Sequence, residues 1–454
     1  MCAGGKAVFA ELPETAATLK NGNAAAGRLR KVTTELKAQN GRSITFKPLA
    51  EALAAFGIKP DVTQRDGRNR VWWNHRADAD GDWYFVTADN AGGFDGYVSF
   101  RQTGAVEIFD PATGKTRGAG TVKRSSERTE LKLTIEPSQG YFVMFRRNGN
   151  AVKAVSAVSR DGKAVENASC WRVLNAGYGA MDANGKWVEG KWMDLTARLQ
   201  QALDRRETGF HVSNEKLGRD PAWRSVKSFK AELLGANGER LPLTGGENSY
   251  IKLPYQLVQM PECTVAGETV CAWRNGAWQV VYGDGEKKSR QVKNARELTF
   301  ADGWKVRFAE GWGMPTEMTG NALAPWKTLG TTPEAKAYSG TAVYVKRFTL
   351  TGDIGRAMLS LGRVESLARV RLNGVDLGAL WCEPYRVEVT QALKAGENTL
   401  EIEVTDTWFN RLVFDAGQSV EKRRTWTIAG PSAKAQLVDS GLLGPVKLYL
   451  GEEI

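Results

Sequence analysis

From Val71 onward, apolar and polar residues alternate with a period of two, the spacing of strands that bury one face. Trp83-Tyr-Phe-Val86, Tyr97-Val-Ser-Phe100, Ala105-Val-Glu-Ile-Phe109, the set Leu131, Leu133 and Ile135, and Tyr141-Phe-Val-Met-Phe145 predict one small antiparallel sandwich over residues 63–150. Asp110-Pro-Ala-Thr-Gly114 reads as a turn within it. Residues 151–298 are also strand-rich and predict a linking β domain. One helix interrupts them over Asp194 to Asp204, where Leu195, Leu199 and Leu203 share a face. The last third, 299–454, is patterned most clearly. Leu367, Val370 and Leu372 are expected on one face against Arg369 and Arg371. Tyr385, Val387 and Val389 alternate with Arg386 and Glu388, and Leu400, Ile402 and Val404 with Glu401, Glu403 and Thr405. Asn373-Gly374 predicts a type I′ hairpin, because both central residues of that turn need positive φ. Short strands at this spacing indicate a β-sandwich or jelly roll.

Residues 1–62 follow another pattern. Lys6-Ala-Val-Phe9 reads as a short buried strand, and Asn23 to Gln39 as a helix carrying Leu29, Val32 and Leu36. A second helix is expected over Pro48 to Phe56, with proline at its first position and Gly57 as its stop. A parallel sheet needs several strands covered on both faces, so this segment reads as the remnant of an α/β domain. More of that domain is expected ahead of Met1. The opening MCAGGKAVF has neither the basic start nor the apolar core of a signal peptide.

Composition narrows the classes. Of 454 residues 42% are hydrophobic and 25% charged, which excludes collagen and a disordered chain, and no apolar run is long enough to form a membrane helix. The formal charge of +11 admits an acidic partner, but bases and acids are mixed along the chain. The densest run, Lys422-Arg423-Arg424, follows Glu421, and a solvated basic surface is the plainer reading. No helix-turn-helix, zinc or RRM signature supports nucleic-acid binding. The 5 cysteines, Cys2, Cys170, Cys263, Cys271 and Cys382, have no metal-site spacing. Cys263 and Cys271 are placed to bridge a hairpin in an oxidising compartment or to stay as free buried thiols.

Catalytic signatures are scarce. No phosphate-binding loop, nucleophile elbow or metal-binding HExxH helix occurs. The 2 histidines lie in ordinary contexts, His75 at an expected strand end and His211 inside an expected strand. A glycosidase needs two carboxylates, but 51 acidic residues on strand faces single out no pair. Tryptophan is the informative residue, with 15 copies. Indole faces stack on the apolar C–H faces of sugar rings, although tryptophans also plug the ends of sandwiches. Trp381 and Trp408 each follow a strand and precede a polar turn, Trp381-Cys-Glu-Pro-Tyr-Arg386 and Thr407-Trp-Phe-Asn-Arg411. Indoles, an amide and arginine forks near one rim suit a polyhydroxylated ligand.

These residues carry a family resemblance. Tyr338-Ser-Gly-Thr-Ala-Val-Tyr-Val-Lys-Arg-Phe348, Leu361-Gly-Arg-Val-Glu365, Val370-Arg-Leu-Asn-Gly-Val-Asp-Leu-Gly378 and Gly396-Glu-Asn-Thr-Leu-Glu-Ile-Glu-Val404 are similar to the sugar-binding jelly-roll domain of family 2-type glycoside hydrolases. Thr405-Asp-Thr-Trp-Phe-Asn-Arg-Leu412 and Ser440-Gly-Leu-Leu-Gly-Pro-Val446 most resemble glycoside hydrolase family 106, the α-L-rhamnosidase-like hydrolases. Phe409 stands where such proteins commonly have proline, so the turn there is expected to differ. Weaker resemblances run upstream, through Asp194-Leu-Thr196, Val212-Ser-Asn214, Asp220-Pro221, Val71-Trp-Trp-Asn-His-Arg76 and Phe109-Asp-Pro-Ala-Thr-Gly114, to Gly4-Gly-Lys-Ala-Val-Phe9 and Leu53-Ala-Ala-Phe-Gly-Ile58.

The resemblance implies a mainly β fold of tandem antiparallel sandwiches ending in a galactose-binding-like jelly roll, after a short α/β remnant. It also implies a C-terminal accessory and carbohydrate-binding region, with the catalytic (β/α)8 barrel, its glutamates and its calcium on a preceding part. No catalytic residue, metal ligand or cofactor is therefore expected in this chain. The candidate carbohydrate-binding residues are Trp381, Tyr385, Arg386, Trp408, Asn410 and Arg411. The expected partner is a plant or bacterial glycan, rhamnose-containing by default, with no nucleic acid and no membrane insertion. A secreted or periplasmic parent enzyme is implied. The alternative is a free-standing carbohydrate-binding or adhesion protein.

Overall fold

The computed structural model describes residues 7–8, 11–12, 22–38, 44–45, 48–66, 70–89, 92–119, 121–147, 155–165, 171–235, 240–254, 256, 258–321 and 323–454. The chain divides into two compact units, Met1–Thr63 and Gln64–Ile454. Cys2 and Cys170 lie outside the described residues. No helix among the described residues is long and apolar enough to cross a membrane.

In the first unit the strand Ala7–Val8 pairs in parallel with Ile44–Thr45. The helices run over Gly22–Ala38 and Leu49–Ala55. Pro48 is the N-cap, one position earlier than the sequence suggests. Gly57, at φ 66°, ends this helix in a Schellman turn: its N–H reaches Ala54 O and the Ile58 N–H reaches Leu53 O. Ile44–Thr45 escaped sequence reading because two residues carry no periodicity.

The second unit is built of antiparallel sheets. Its first sandwich has a five-stranded sheet ordered 71–77, 81–88, 140–146, 105–110, 115–118. The strands 94–100, 129–135 and 121–124 belong to the facing sheet. Tyr84 and Phe145 of the first sheet meet Phe100 of the second at ring separations of 5.0 and 5.5 Å, which fixes the faces across one core. His75 lies inside its strand rather than at the end. It stacks on Tyr84 at 4.2 Å and contacts Asp82 Oδ1 at 2.8 Å, as a satisfied structural histidine does.

Next come two four-stranded sheets. In one, the strands 187–194, 171–181, 228–235 and 240–246 carry the helix Thr196–Asp204 on one face. Leu199 and Leu203 of the helix pack with Val173, Tyr178, Phe229 and Leu233. The other takes 163–164, 155–160, 276–282 and 287–292. His211 ends a three-residue strand, Gly209–His211, and is exposed.

The terminal sandwich joins two six-stranded sheets. One is ordered 317–321, 304–308, 341–350, 396–405, 367–372, 375–380. The other runs 263–266, 269–272, 446–453, 356–360, 386–388, with 296–300 also on 446–453. Strands that precede residue 299 are thus built into this sheet. Trp304, Tyr344, Val370, Ile402 and Val404 from one sheet share a core with Leu359, Val446, Leu448 and Leu450 from the other. Side chains this deeply buried each contribute about 1.5–3 kcal/mol. Asn373 (φ 54°) and Gly374 (φ 81°) form the expected hairpin. Leu367 differs from expectation: strict alternation puts Ala368, Val370 and Leu372 inward, and Leu367 stands outside with Arg369.

The hairpin 263–272 also decides the cysteine question. Cys263 pairs with Ala272 and Thr264 with Cys271, so the two thiols point to opposite faces of the ribbon. Both are free, and burial pushes each up to about 12.

Candidate carbohydrate-binding rim

Strand register brings four connections to one end of the terminal sandwich. Thr341 and Leu367 both pair with Thr405, and Ala368 pairs with Leu380. The residues just beyond, Gly340, Ser366, Trp381 and Asp406 to Trp408, therefore share a rim. Trp381 and Trp408 emerge from strands two places apart in the sheet, which separates the strand ends by about 10 Å.

Asp406 sits at the centre of this rim and is 8% exposed. Its N–H donates to Gly340 O at 2.9 Å, and Oδ1 accepts from Ser366 Oγ at 3.2 Å. Oδ2 is buried without a hydrogen-bond partner. Burial raises the Asp406 acid to about 6; the Thr407 amide and Ser366 hydroxyl oppose the rise, and Glu365 adds to it. Glu365 pairs with Arg363 at 2.7 Å, Arg363 with Asp439 at 3.0 Å, and Asp439 with Lys327 at 2.9 Å. Charges of alternating sign thus run in a ladder away from Glu365, the neighbour of Ser366.

The two indoles are the accessible candidates. Trp381 is 61% exposed and Trp408 43% exposed. Trp408 is the N-cap residue of the helix Phe409–Ala416, and its ring stands edge-on to Trp312 at 5.1 Å. Trp312 in turn has the Arg424 guanidinium 3.7 Å and the Arg411 guanidinium 5.0 Å from its ring centre. The indole support is therefore held by cation–π contacts from within the protein.

The other four candidates face inward. Tyr385 is buried and its hydroxyl donates to Ser366 O at 2.7 Å, so it fixes the backbone behind Asp406. Arg386 pairs with Glu136 of the first sandwich and places an N–H 3.5 Å from Met260 Sδ. Glu383 pairs with Arg206, and Gln139 donates to Glu383 O at 3.0 Å. The segment following Trp381 is thus a clasp between sandwiches. Asn410 accepts the Val438 N–H at 2.9 Å and donates to Val438 O at 3.0 Å, pinning a distant loop. Arg411, only 2% exposed, holds Asp415 through Nε at 3.1 Å and Glu334 at 2.8 Å.

Sequence reading missed Asp406 and Ser366. A weak signal existed for Asp406: it immediately follows the last strand residue of the alternation that buries Val404. Among the described residues no group of three or more His, Cys, Asp or Glu could hold a metal ion.

Comparison with known proteins gives the wider setting. Residues 1–121 match the profile of glycoside hydrolase family 106, described as alpha-L-rhamnosidase. That match takes in the first unit and the start of the second, about a quarter of the chain. A rhamnosidase structure from Novosphingobium sp. PP1Y shares the fold over 95% of the chain, with a TM-score of 0.54 and 22% identity. A Formosa agariphila protein, provisionally named a beta-glucuronidase, is 26% identical over 78% of the chain. The chain covers 33% of that relative and 29% of the rhamnosidase, so it spans about a third of the proteins it matches. The family profile lies upstream of the jelly-roll motifs that carry the resemblance most clearly in the sequence.

Proposed function

We propose that this chain is an accessory, carbohydrate-binding region of a rhamnosidase-like glycoside hydrolase, and that its terminal jelly roll holds glycan at the rim. The observation that carries this reading is the pair of exposed indoles, Trp381 and Trp408, flanking a buried carboxyl on one sheet end. Sugar rings would lie against the two indoles, with hydroxyl groups directed to the polar backbone and charged ladder between them. Tyr385, Arg386, Asn410 and Arg411 would hold that surface in shape. The default ligand is a rhamnose-containing plant or bacterial glycan, and calcium-dependent chemistry would belong to the catalytic portion of the larger protein.

The test is calorimetric titration of the full chain with rhamnogalacturonan oligosaccharides, alongside Trp381→Ala and Trp408→Ala. Each substitution is expected to weaken binding several-fold, as the loss of about 1 kcal/mol of stacking requires. Equal binding by all three proteins would remove the rim from the account. In parallel, the chain is expected to leave aryl α-L-rhamnosides intact. Turnover that a single carboxylate substitution abolishes would overturn the accessory role.

A further inference from the structure

A second aromatic surface lies far along the chain from the rim, on the sheet of strands 187–194, 171–181, 228–235 and 240–246. One face of that sheet is covered by the helix Thr196–Asp204 and its core. The opposite face carries exposed side chains among the described residues. Gly177 pairs with Asp194 and Gly179 with Trp192, so these residues project to the same side, away from Tyr178 and Val173. Trp187 and Trp192 stack there with ring centres 5.6 Å apart and planes 12° from parallel.

Two glycines make room for the pair. A Cβ on Gly177 would stand 2.7 Å from Trp187 Cζ2, and one on Gly179 would stand 2.6 Å from Trp192 Cβ. Trp187 therefore lies flat on bare backbone, and Trp192, 38% exposed, rests against it. Beside this platform the face is polar. Lys230 pairs with Gly177, Asn175 with Glu232, and Lys230 with Thr244 on the outer strand. Asn175, Asp194, Lys230 and Thr244 are exposed. Two strand spacings, about 10 Å, separate Trp192 from the strand of Lys230, roughly the length of a disaccharide.

We propose that this face is a second glycan-binding platform, separate from the rim, and that it takes a neutral polysaccharide chain. Stacked indoles supply the flat apolar surface that a sugar ring presents on its C–H side. The Asn175 amide, the Lys230 ammonium, the Glu232 carboxylate and the Thr244 hydroxyl, on the three neighbouring strands, supply hydroxyl partners. Charge selects the neutral chain: Asp194 and Glu232 interleave with Arg172, Lys230 and Arg240, and Arg240 is already paired to Glu232 at 2.7 Å. Such a face offers no field of one sign to a polyanion. It also lacks the apolar breadth of a protein interface, since Trp192 is the large apolar residue exposed on it among the described residues.

Affinity electrophoresis of the full chain through gels containing galactomannan, arabinan or polygalacturonate tests the proposal. Trp192→Ala and Lys230→Ala are compared with the rim double variant Trp381→Ala/Trp408→Ala. Retardation in at least one neutral gel is expected, with about a tenfold loss of apparent affinity in Trp192→Ala and a smaller loss in Lys230→Ala. The rim double variant should keep that component. Trp192→Ala migrating like the parent in every gel, no retardation in either neutral gel, or retardation confined to polygalacturonate and abolished by salt would each overturn the platform. So would light scattering that shows a dimer dissociated by Trp192→Ala. Loss of retardation in the rim variant alone would support the rim and refute the platform, so the two readings fail separately.

Discussion

Asp406→Asn should make the protein more stable at neutral pH, and the gain should vanish in mild acid. The Asp406 carboxyl is 8% exposed, accepts one hydroxyl hydrogen bond at 3.2 Å and leaves Oδ2 buried without a partner. Burial raises its acid to about 6, against roughly 3.9 in an unfolded chain. A gap of about 2 units corresponds to roughly 3 kcal/mol. The fold favours the neutral acid, so between about pH 4 and 6 the folded protein holds a proton that the unfolded chain has released. Stability therefore falls as pH rises through that window, and the cost is complete above about 6. Asparagine cannot ionise and escapes this cost. It places an amide N–H where Oδ2 now lacks a partner, which offsets about 1 kcal/mol.

The expected net gain is about 1–2 kcal/mol at pH 7.5 and about zero or slightly negative near pH 4.5. Differential scanning calorimetry of the full chain at both values reads it as a rise of a few degrees in the transition of the terminal sandwich, at about 2–4 °C per kcal/mol. An equal shift at the two pH values, or a lower melting temperature at pH 7.5, would refute the claim that Asp406 carries a costly buried charge.

Two further substitutions probe the frame around the rim. Arg411→Met removes the cation from Asp415, which is fully buried and takes Nε at 3.1 Å, and should cost about 3–5 kcal/mol in the same calorimetric transition; a loss below about 1 kcal/mol would show that the pair is not structural. Gly441→Ala should cost about 1–3 kcal/mol, because at φ 97° its Cβ would stand 2.4 Å from Trp326 Nε1 and displace the 2.6 Å bond from that indole to Tyr344. Unchanged protection of residues 326–344 in hydrogen exchange would contradict that second expectation.

The legible parts of this molecule are those fixed by neighbours in sequence. Alternation at Leu400, Ile402 and Val404 requires only that one strand face be buried, and the Asn373-Gly374 turn requires only two residues that tolerate positive φ. Gly57 stopped its helix for the same local reason. What stayed hidden was set by distant partners. Hairpin 263–272 joins a sheet through Cys271 opposite Glu453, a pairing that no local pattern encodes.

The same distinction separates the six candidate residues of the rim. Indole, amide and guanidinium are chemically fit for sugar wherever they occur, so sequence alone nominates all of them. The fold then spends four of them on its own surfaces: Arg386 on Glu136, Arg411 on Glu334 and Asp415, Asn410 on Val438, and Tyr385 on Ser366. A polar side chain inside a sandwich end must find partners there, because leaving it unpaired costs about 1–3 kcal/mol. Trp381 and Trp408 escape this because an indole with its face in water incurs no comparable penalty. The residues of a binding surface are in this respect those the core had least reason to consume. That criterion, exposure of a rigid apolar face supported from behind, also singles out Trp192 on its bed of Trp187 and Gly177, where strand pattern gave no hint.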